Sequence, residues 1–174
     1  KKCLDSALFT ATIDVETAST CGYAVPRAGK AITGPSVHLA RILMQVWCNF
    51  RTEAKVIEET HKYIVSEAVA WDLETNVAVK VTVKRSIMSK TGRMNEDMIL
   101  VTGRAANAIS LRDAVFNVIP KAIVNNVYKA TQNKILGGSS DSAANIKKWL
   151  KSLFKQFPKV YYSIWHVCCP VMMI

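Results

Sequence analysis

Val77, Val79, Val81 and Val83 alternate with Ala78, Lys80, Thr82 and Lys84. Successive side chains of a strand point to opposite faces, so this octet has one dry face and one wet, basic face. Such a strand belongs in an antiparallel sheet with one side open to water. Its partner lies just upstream. Asp72-Leu73-Glu74-Thr75-Asn76 reads as the turn of a hairpin. Before it, Tyr63–Leu73 reads as a strand with Tyr63, Val65, Val69 and Trp71 on one face. A third strand is expected near Arg51–Glu59.

The segment after this sheet is helical. An Ala-rich helix is expected from about Asn95 to Val118. Its core is Thr102-Gly103-Arg104-Ala105-Ala106-Asn107-Ala108-Ile109-Ser110-Leu111-Arg112, and Pro120 stops it. Small side chains let a helix backbone approach another surface closely. A further helix is expected from about Lys121 to Leu136. Upstream, proline at a first helical position and a serine cap predict a helix from Pro35 or Ser36 to about Cys48. Its apolar residues nearly encircle it, leaving a polar stripe of His38, Arg41, Gln45 and Asn49. A helix this apolar is buried, in a core or a subunit interface. Gly22 to Ser36, punctuated by Gly22, Pro26, Gly29, Gly34 and Pro35, reads as a loop. Residues 1–21 carry no assignable pattern. The fold class is therefore α+β: a small antiparallel sheet, a hairpin plus one strand, packed on a long central helix with additional helices.

The organisation expected is a core domain over residues 1–136 and an appendage over 137–174. The appendage opens with Gly137-Gly138-Ser139-Ser140 as a hinge. A basic amphipathic helix follows, with Ile146, Trp149, Leu150, Leu153, Phe154 and Phe157 opposite Lys147, Lys148, Lys151 and Lys155. An uncharged tail, Val160–Ile174, ends the chain. Such a helix ordinarily docks on its own domain, and membrane-surface or partner binding is the rarer use. The chain opens Lys1-Lys2-Cys3 without methionine, so its natural start is expected upstream. No signal peptide or membrane-length apolar run is visible.

The net charge of +10 directs attention to polyanions. The basic residues are spread along the chain, as a long groove requires. Five cysteines, Cys3, Cys21, Cys48, Cys168 and Cys169, lack C-x-x-C spacing and suit a reducing cytoplasm. His166 near the last two gives no second ligand pair, so no metal is expected. Catalytic motifs are missing too. Gly29-Lys30 is followed by Ala31, so there is no Walker loop. Glu53-Ala54-Lys55 has the spacing of some metal nucleases, yet residues 17–52 contain no acid to share a metal. No Ser or Cys has an activating histidine nearby. Neither a cofactor nor a catalytic residue is expected, and the chain does not read as an enzyme.

Phosphate binding remains. Arg27 and Lys30 precede a helix N-terminus, where free N–H groups attract anions. Arg41 lies on the polar stripe of that helix. Lys80 and Lys84 stand on the wet strand face, Arg85 follows them, and Arg93 closes the Lys90-Thr91-Gly92-Arg93 loop. Arg104, Asn107 and Arg112 lie along the small-residue helix, where guanidinium forks suit phosphate. Each of these could equally be a solvated surface charge.

Three blocks carry a resemblance. They are Gly34-Pro35-Ser36-Val37-His38-Leu39-Ala40, then Glu67-Ala68-Val69-Ala70-Trp71-Asp72-Leu73-Glu74-Thr75-Asn76, and finally Gly103 to Arg112 with its Val118-Ile119-Pro120 stop. In this order, across residues 22–136, the chain resembles phage single-strand annealing proteins of the RecT/Redβ kind. The hairpin, the Ala/Arg helix and its Ile-Pro stop form the link, and the segment after Ser140 departs from it. The resemblance implies ATP-independent annealing of complementary DNA strands in phage homologous recombination. It implies rings or helical filaments of one subunit, a host bacterial cytoplasm, and partners such as a phage exonuclease or host single-strand-binding protein. The annealed duplex would be held as an intermediate, with Lys84, Arg85, Arg104, Asn107 and Arg112 in the groove. A non-annealing single-stranded DNA-binding protein would use exposed aromatics, but Trp47, Trp71 and Phe116 read as buried. A phage assembly or membrane-associated protein would use the C-terminal helix and tail.

Overall fold

A computed structural model describes residues 2–27, 30–89 and 92–137. The expected amphipathic helix and apolar tail therefore lie outside the described residues. The chain opens with two helices, α1 (Lys2–Ala11) and α2 (Val15–Thr20), where the sequence showed no pattern. Leu4, Ala7, Leu8 and Ala11 form the inner face of α1 at helical spacing. The Asp14 carboxylate caps α2, accepting from the Thr17 N–H at 2.6 Å and the Thr17 hydroxyl at 3.0 Å.

The expected loop over Gly22–Ser36 is instead a hairpin. Strand β1 (Gly22–Arg27) pairs antiparallel with β2 (Lys30–Pro35). Glycine and proline here serve edge strands and not a loop. Gly34 lies opposite Tyr23, and a Cβ at Gly34 would sit 2.9 Å from the Tyr23 hydroxyl. Ser36 then caps α3 (Val37–Val46), accepting from the His38 N–H at 3.1 Å. Leu39, Ala40 and Leu43 are buried in the chain's own core, and His38, Arg41 and Gln45 stay exposed. The apolar helix is thus a core element.

The three-stranded sheet forms where expected: β3 (Phe50–Glu59), β4 (Tyr63–Asp72) and β5 (Val77–Ser86), with β4 in the middle. Asp72 organises one end. Its carboxylate accepts from the N–H groups of Glu74 (2.9 Å) and Thr75 (3.4 Å), and from Trp47 Nε1 (3.3 Å). That one side chain fixes the β4–β5 turn and ties it to the end of α3. A bulge at Ile57 interrupts β3. The short pair β6 (Met88–Ser89) and β7 (Gly92–Arg93) leads into α4 (Glu96–Val118). Asn95 caps α4 by accepting from the Met98 N–H at 3.0 Å, and Glu96 and Asp97 match its dipole. Pro120 separates α4 from α5 (Lys121–Ile135).

Helix α4 lies across one face of the sheet. Thr102, Gly103, Ala106, Ser110 and Ala114 form its buried stripe. The face of β4 beneath it is Ile64, Ser66, Ala68, Ala70 and Asp72, all buried. Tyr63, Val65, Val69 and Trp71 do share a face, as expected, but it is the opposite one. The register sets Val65 beside Lys84 and Val69 beside Lys80. Along the middle of the seam with α4, β4 presents Ser66, Ala68 and Ala70, while Tyr63, Val65, Val69 and Trp71 face away from the helix. At Gly103 a Cβ would already lie 3.3 Å from Ile64 Cδ1. Trp71, expected to be buried, is 40% exposed. Among the described residues no helix is long and apolar enough to cross a membrane.

Candidate nucleic-acid interface

Three elements meet along the β3 edge of the covered sheet face. Arg41 comes from α3, Thr52, Glu53 and Ala54 from β3, and Arg104, Asn107, Ala108 and Leu111 from α4. Together they line an open cleft of about 460 Å³. Arg104 and Asn107 are three residues apart, so they share a helix face. Both arginines are exposed, and neither has an ion pair among the described residues. Ala54, Ala108 and Leu111 supply an apolar floor between them. Two unpaired guanidiniums over an apolar floor can hold an acceptor-rich anion.

Asn107 is anchored from behind. The Ser66 hydroxyl donates to Asn107 Oδ1 at 2.6 Å, and Ser66 and Ser110 Oγ lie 2.8 Å apart. Ser110 also donates to the Asn107 carbonyl at 3.1 Å. Both serines are fully buried. The sequence reading missed them. Their available signal was Ser66 falling on the small-residue parity of Ala68 and Ala70, and Ser110 lying one turn after Asn107.

The other sequence candidates do not gather here. Arg112 lies further along α4, half-buried. Its Nε donates to Asp113 Oδ1 at 2.8 Å, a second guanidinium nitrogen reaches that oxygen at 2.7 Å, and the guanidinium sits 5.2 Å from the Tyr23 ring centre. It is engaged in packing the β1–β2 hairpin against α4. Lys80 and Lys84 stand on the open sheet face, across the sheet from α4. Lys80 pairs with Glu67 at 3.0 Å, and the Lys84 ammonium lies 3.3 Å over the Tyr63 ring. Arg85, aligned with Ile64, has the parity of the covered face and is half-buried. Arg93 binds Glu59 at 2.7 Å and the Thr60 carbonyl at 3.1 Å, so it clamps β7 to the β3–β4 turn. The backbones of Arg27 and Lys30 form the last pair of the β1–β2 hairpin.

Titration behaviour follows these surroundings. Partial desolvation and then the nearby Arg41 charge hold His38 below its usual pKa, although much of its side chain meets solvent. Burial would raise Asp72, but its hydrogen bonds from Glu74, Thr75 and Trp47 outweigh it and leave the pKa lowered. Burial pushes the Cys21 thiol up to about 11, which makes it a core residue and not a nucleophile. Glu53 and Lys55, the nuclease-like spacing, pair with each other at 3.2 Å. Among the described residues no three His, Cys, Asp or Glu side chains gather as metal ligands. Comparisons with protein-family models, with curated proteins and with solved structures find no match to this chain.

Proposed function

We propose that this chain binds single-stranded DNA through its phosphates, without sequence preference, and anneals complementary strands without ATP or covalent chemistry. The observation that carries the reading is the cleft itself, where unpaired Arg41 and Arg104 flank Asn107 over an apolar floor. An exposed cation without a partner keeps its full charge for a polyanion, whereas a paired one must first break its pair. The spread-out charge of +10 suits a ligand that tracks along the molecule. The resemblance to phage annealing proteins supplies the annealing step, the ring or filament of subunits, the host cytoplasm and the exonuclease or single-strand-binding partners. The test is a binding isotherm across salt concentrations beside a strand-annealing assay without nucleotide. Affinity should fall with a log–log slope of roughly −0.7 per phosphate neutralised. A flat salt response, or annealing that strictly needs ATP, defeats the proposal.

The exposure of Trp71 favours a second reading. An exposed indole beside Lys80 and Arg51 on the open sheet face could stack a base, as in plain single-strand-binding modules. That reading expects binding without annealing, and a larger loss from Trp71→Ala than from Arg104→Ala.

A further inference from the structure

Two buried hydroxyls sit in a seam otherwise built from alanine and other small residues. Ile64 of β4 and Ala106 of α4 belong to one apolar cluster, Ala68, Ala70 and Ala114 to another, and Ser66 and Ser110 fall between the two, fully buried. Alanine would fill that space without two polar groups to satisfy. What the hydroxyls do is set the polarity of one amide. With the Ser66 hydroxyl donating to Asn107 Oδ1, that oxygen faces the seam, and the 2.8 Å contact between the serines takes its proton from Ser110, shared with the Asn107 carbonyl. Nδ2 then points the other way. It has no hydrogen-bond partner among the described residues, and Asn107 lines the cleft. The one carboxylate of the lining, Glu53, is taken by Lys55 at 3.2 Å.

We infer that Ser66 and Ser110 are positioning residues: they hold the Asn107 amide with its NH2 toward the cleft. The cleft then presents donors from Arg41, Arg104 and Asn107, and selects the non-bridging oxygens of a phosphodiester. The reversed amide would aim lone pairs at those oxygens. This inference rests on the reading of the cleft as the DNA site. It adds the residues that determine its selectivity.

The experiment is a double-mutant cycle on the full chain, with oligo(dT) as ligand. Ser66→Ala should weaken binding about three- to tenfold, the range for one lost hydrogen bond. In an Asn107→Ala background it should change affinity less than about twofold, because its target is gone. Equal losses in both backgrounds overturn the inference, since a purely structural serine would act in both. Ser66→Cys, similar in shape but a weak donor, repeats the cycle if Ser66→Ala destabilises the fold. A second measurement reads the ligand-free protein: the Asn107 Nδ2 protons, observed by NMR, should exchange freely with water. Protected Nδ2 protons overturn the inference whether or not DNA binds. Absent binding with freely exchanging Nδ2 protons removes the proposed function and leaves the amide assignment standing.

Discussion

The two faces of the three-stranded sheet differ in composition and do opposite things. The covered face meets α4 through Ser66, Ala68 and Ala70, and its rim forms the cleft. The open face carries Tyr63, Val65, Val69 and Trp71 with Lys55, Lys80 and Lys84, and each of these lysines already has a partner. Hydrophobicity and side-chain size agree on the face the helix takes, which carries the alternate valines of β5 and Ile64, Ala68 and Ala70 of β4. Close approach of two backbones needs small residues on both, and β4 offers them on one parity only. The same choice sorted the cations. Among the described residues, Arg41 and Arg104 at the rim have no ion pair, the neighbouring Glu53 being held by Lys55, while Lys55, Lys80 and Lys84 on the open face lie beside Glu53, Glu67 or an aromatic ring. A basic residue is informative about ligands when it lacks a partner, and the sequence cannot show that.

The comparison breaks first if the small-residue seam is not what holds α4 down. Ala68→Leu adds three carbons where Ala68 is 1% exposed, and should destabilise by about 3 kcal/mol, the upper part of the overpacking range. Ala78→Leu, exposed on the other face, should stay within about 0.5 kcal/mol. Urea midpoints of the two variants measure this directly. Equal costs would mean the seam tolerates volume.

Next in size is the division of the cations. Arg104→Ala should weaken single-stranded DNA binding by about 2 kcal/mol, as for a lost charge-assisted hydrogen bond. Lys80→Ala, already paired with Glu67 and 63% exposed, should change it by a few tenths. Fluorescence titrations at one salt concentration compare them. A larger loss at Lys80 would move the DNA to the open face.

Much of this frame was legible in the sequence. Period-two alternation located β4 and β5, and the Asp72–Asn76 segment located their turn. Ser36 and Pro120 marked helix limits because capping and a missing N–H are local effects. What was not legible depended on distant partners. Gly34 and Pro26 read as loop residues because the need for glycine at position 34 comes from the Tyr23 ring across the hairpin. Trp71 read as buried because a large aromatic on an alternating strand suits a core, whereas the face against α4 is set by a partner helix distant in sequence. Arg104 and Asn107 could be paired from their spacing. Arg41 could not join them until α3 was placed beside α4, and Arg112 was grouped with them because adjacency to Asp113 suggests an ion pair without deciding whether it forms.

The Asp72 latch sharpens the comparison from the end of the sheet, where it joins the covered face to α3 through Trp47. Its pKa is lowered in the folded state, so folding holds the carboxylate ionised. That contribution is complete above the unfolded value near 4 and is lost as pH falls through the lower folded value. Asp72→Asn should cost about 1 kcal/mol at neutral pH, because charge strengthens the bonds it accepts. It should also flatten the stability profile below about pH 4. Denaturation midpoints between roughly pH 2 and 6 would show both effects. Unchanged acid sensitivity in the Asp72→Asn variant would assign that sensitivity to other carboxylates.

The smallest expected effect is at Arg112, which the sequence placed in the groove and the structure places against Asp113 and Tyr23. Its side chain is 21% exposed and that of Asp113 is 38% exposed, so solvent screens much of the pair. Arg112→Ala should therefore lower stability by only a few tenths of a kcal/mol from the ion pair, with a similar share from the ring contact. Affinity for DNA per folded molecule should not change. Arg112→Lys should recover little of the loss, since an ammonium cannot reproduce two guanidinium contacts to one oxygen and a stacked ring. Measuring thermal midpoint and DNA affinity on the same preparation separates the two roles. If Arg112→Ala leaves the midpoint untouched and weakens DNA binding as much as Arg104→Ala, the interface runs the length of α4. The engaged arginine would then exchange Asp113 for phosphate when DNA arrives, and the distinction between paired and unpaired cations would fail on the covered face itself.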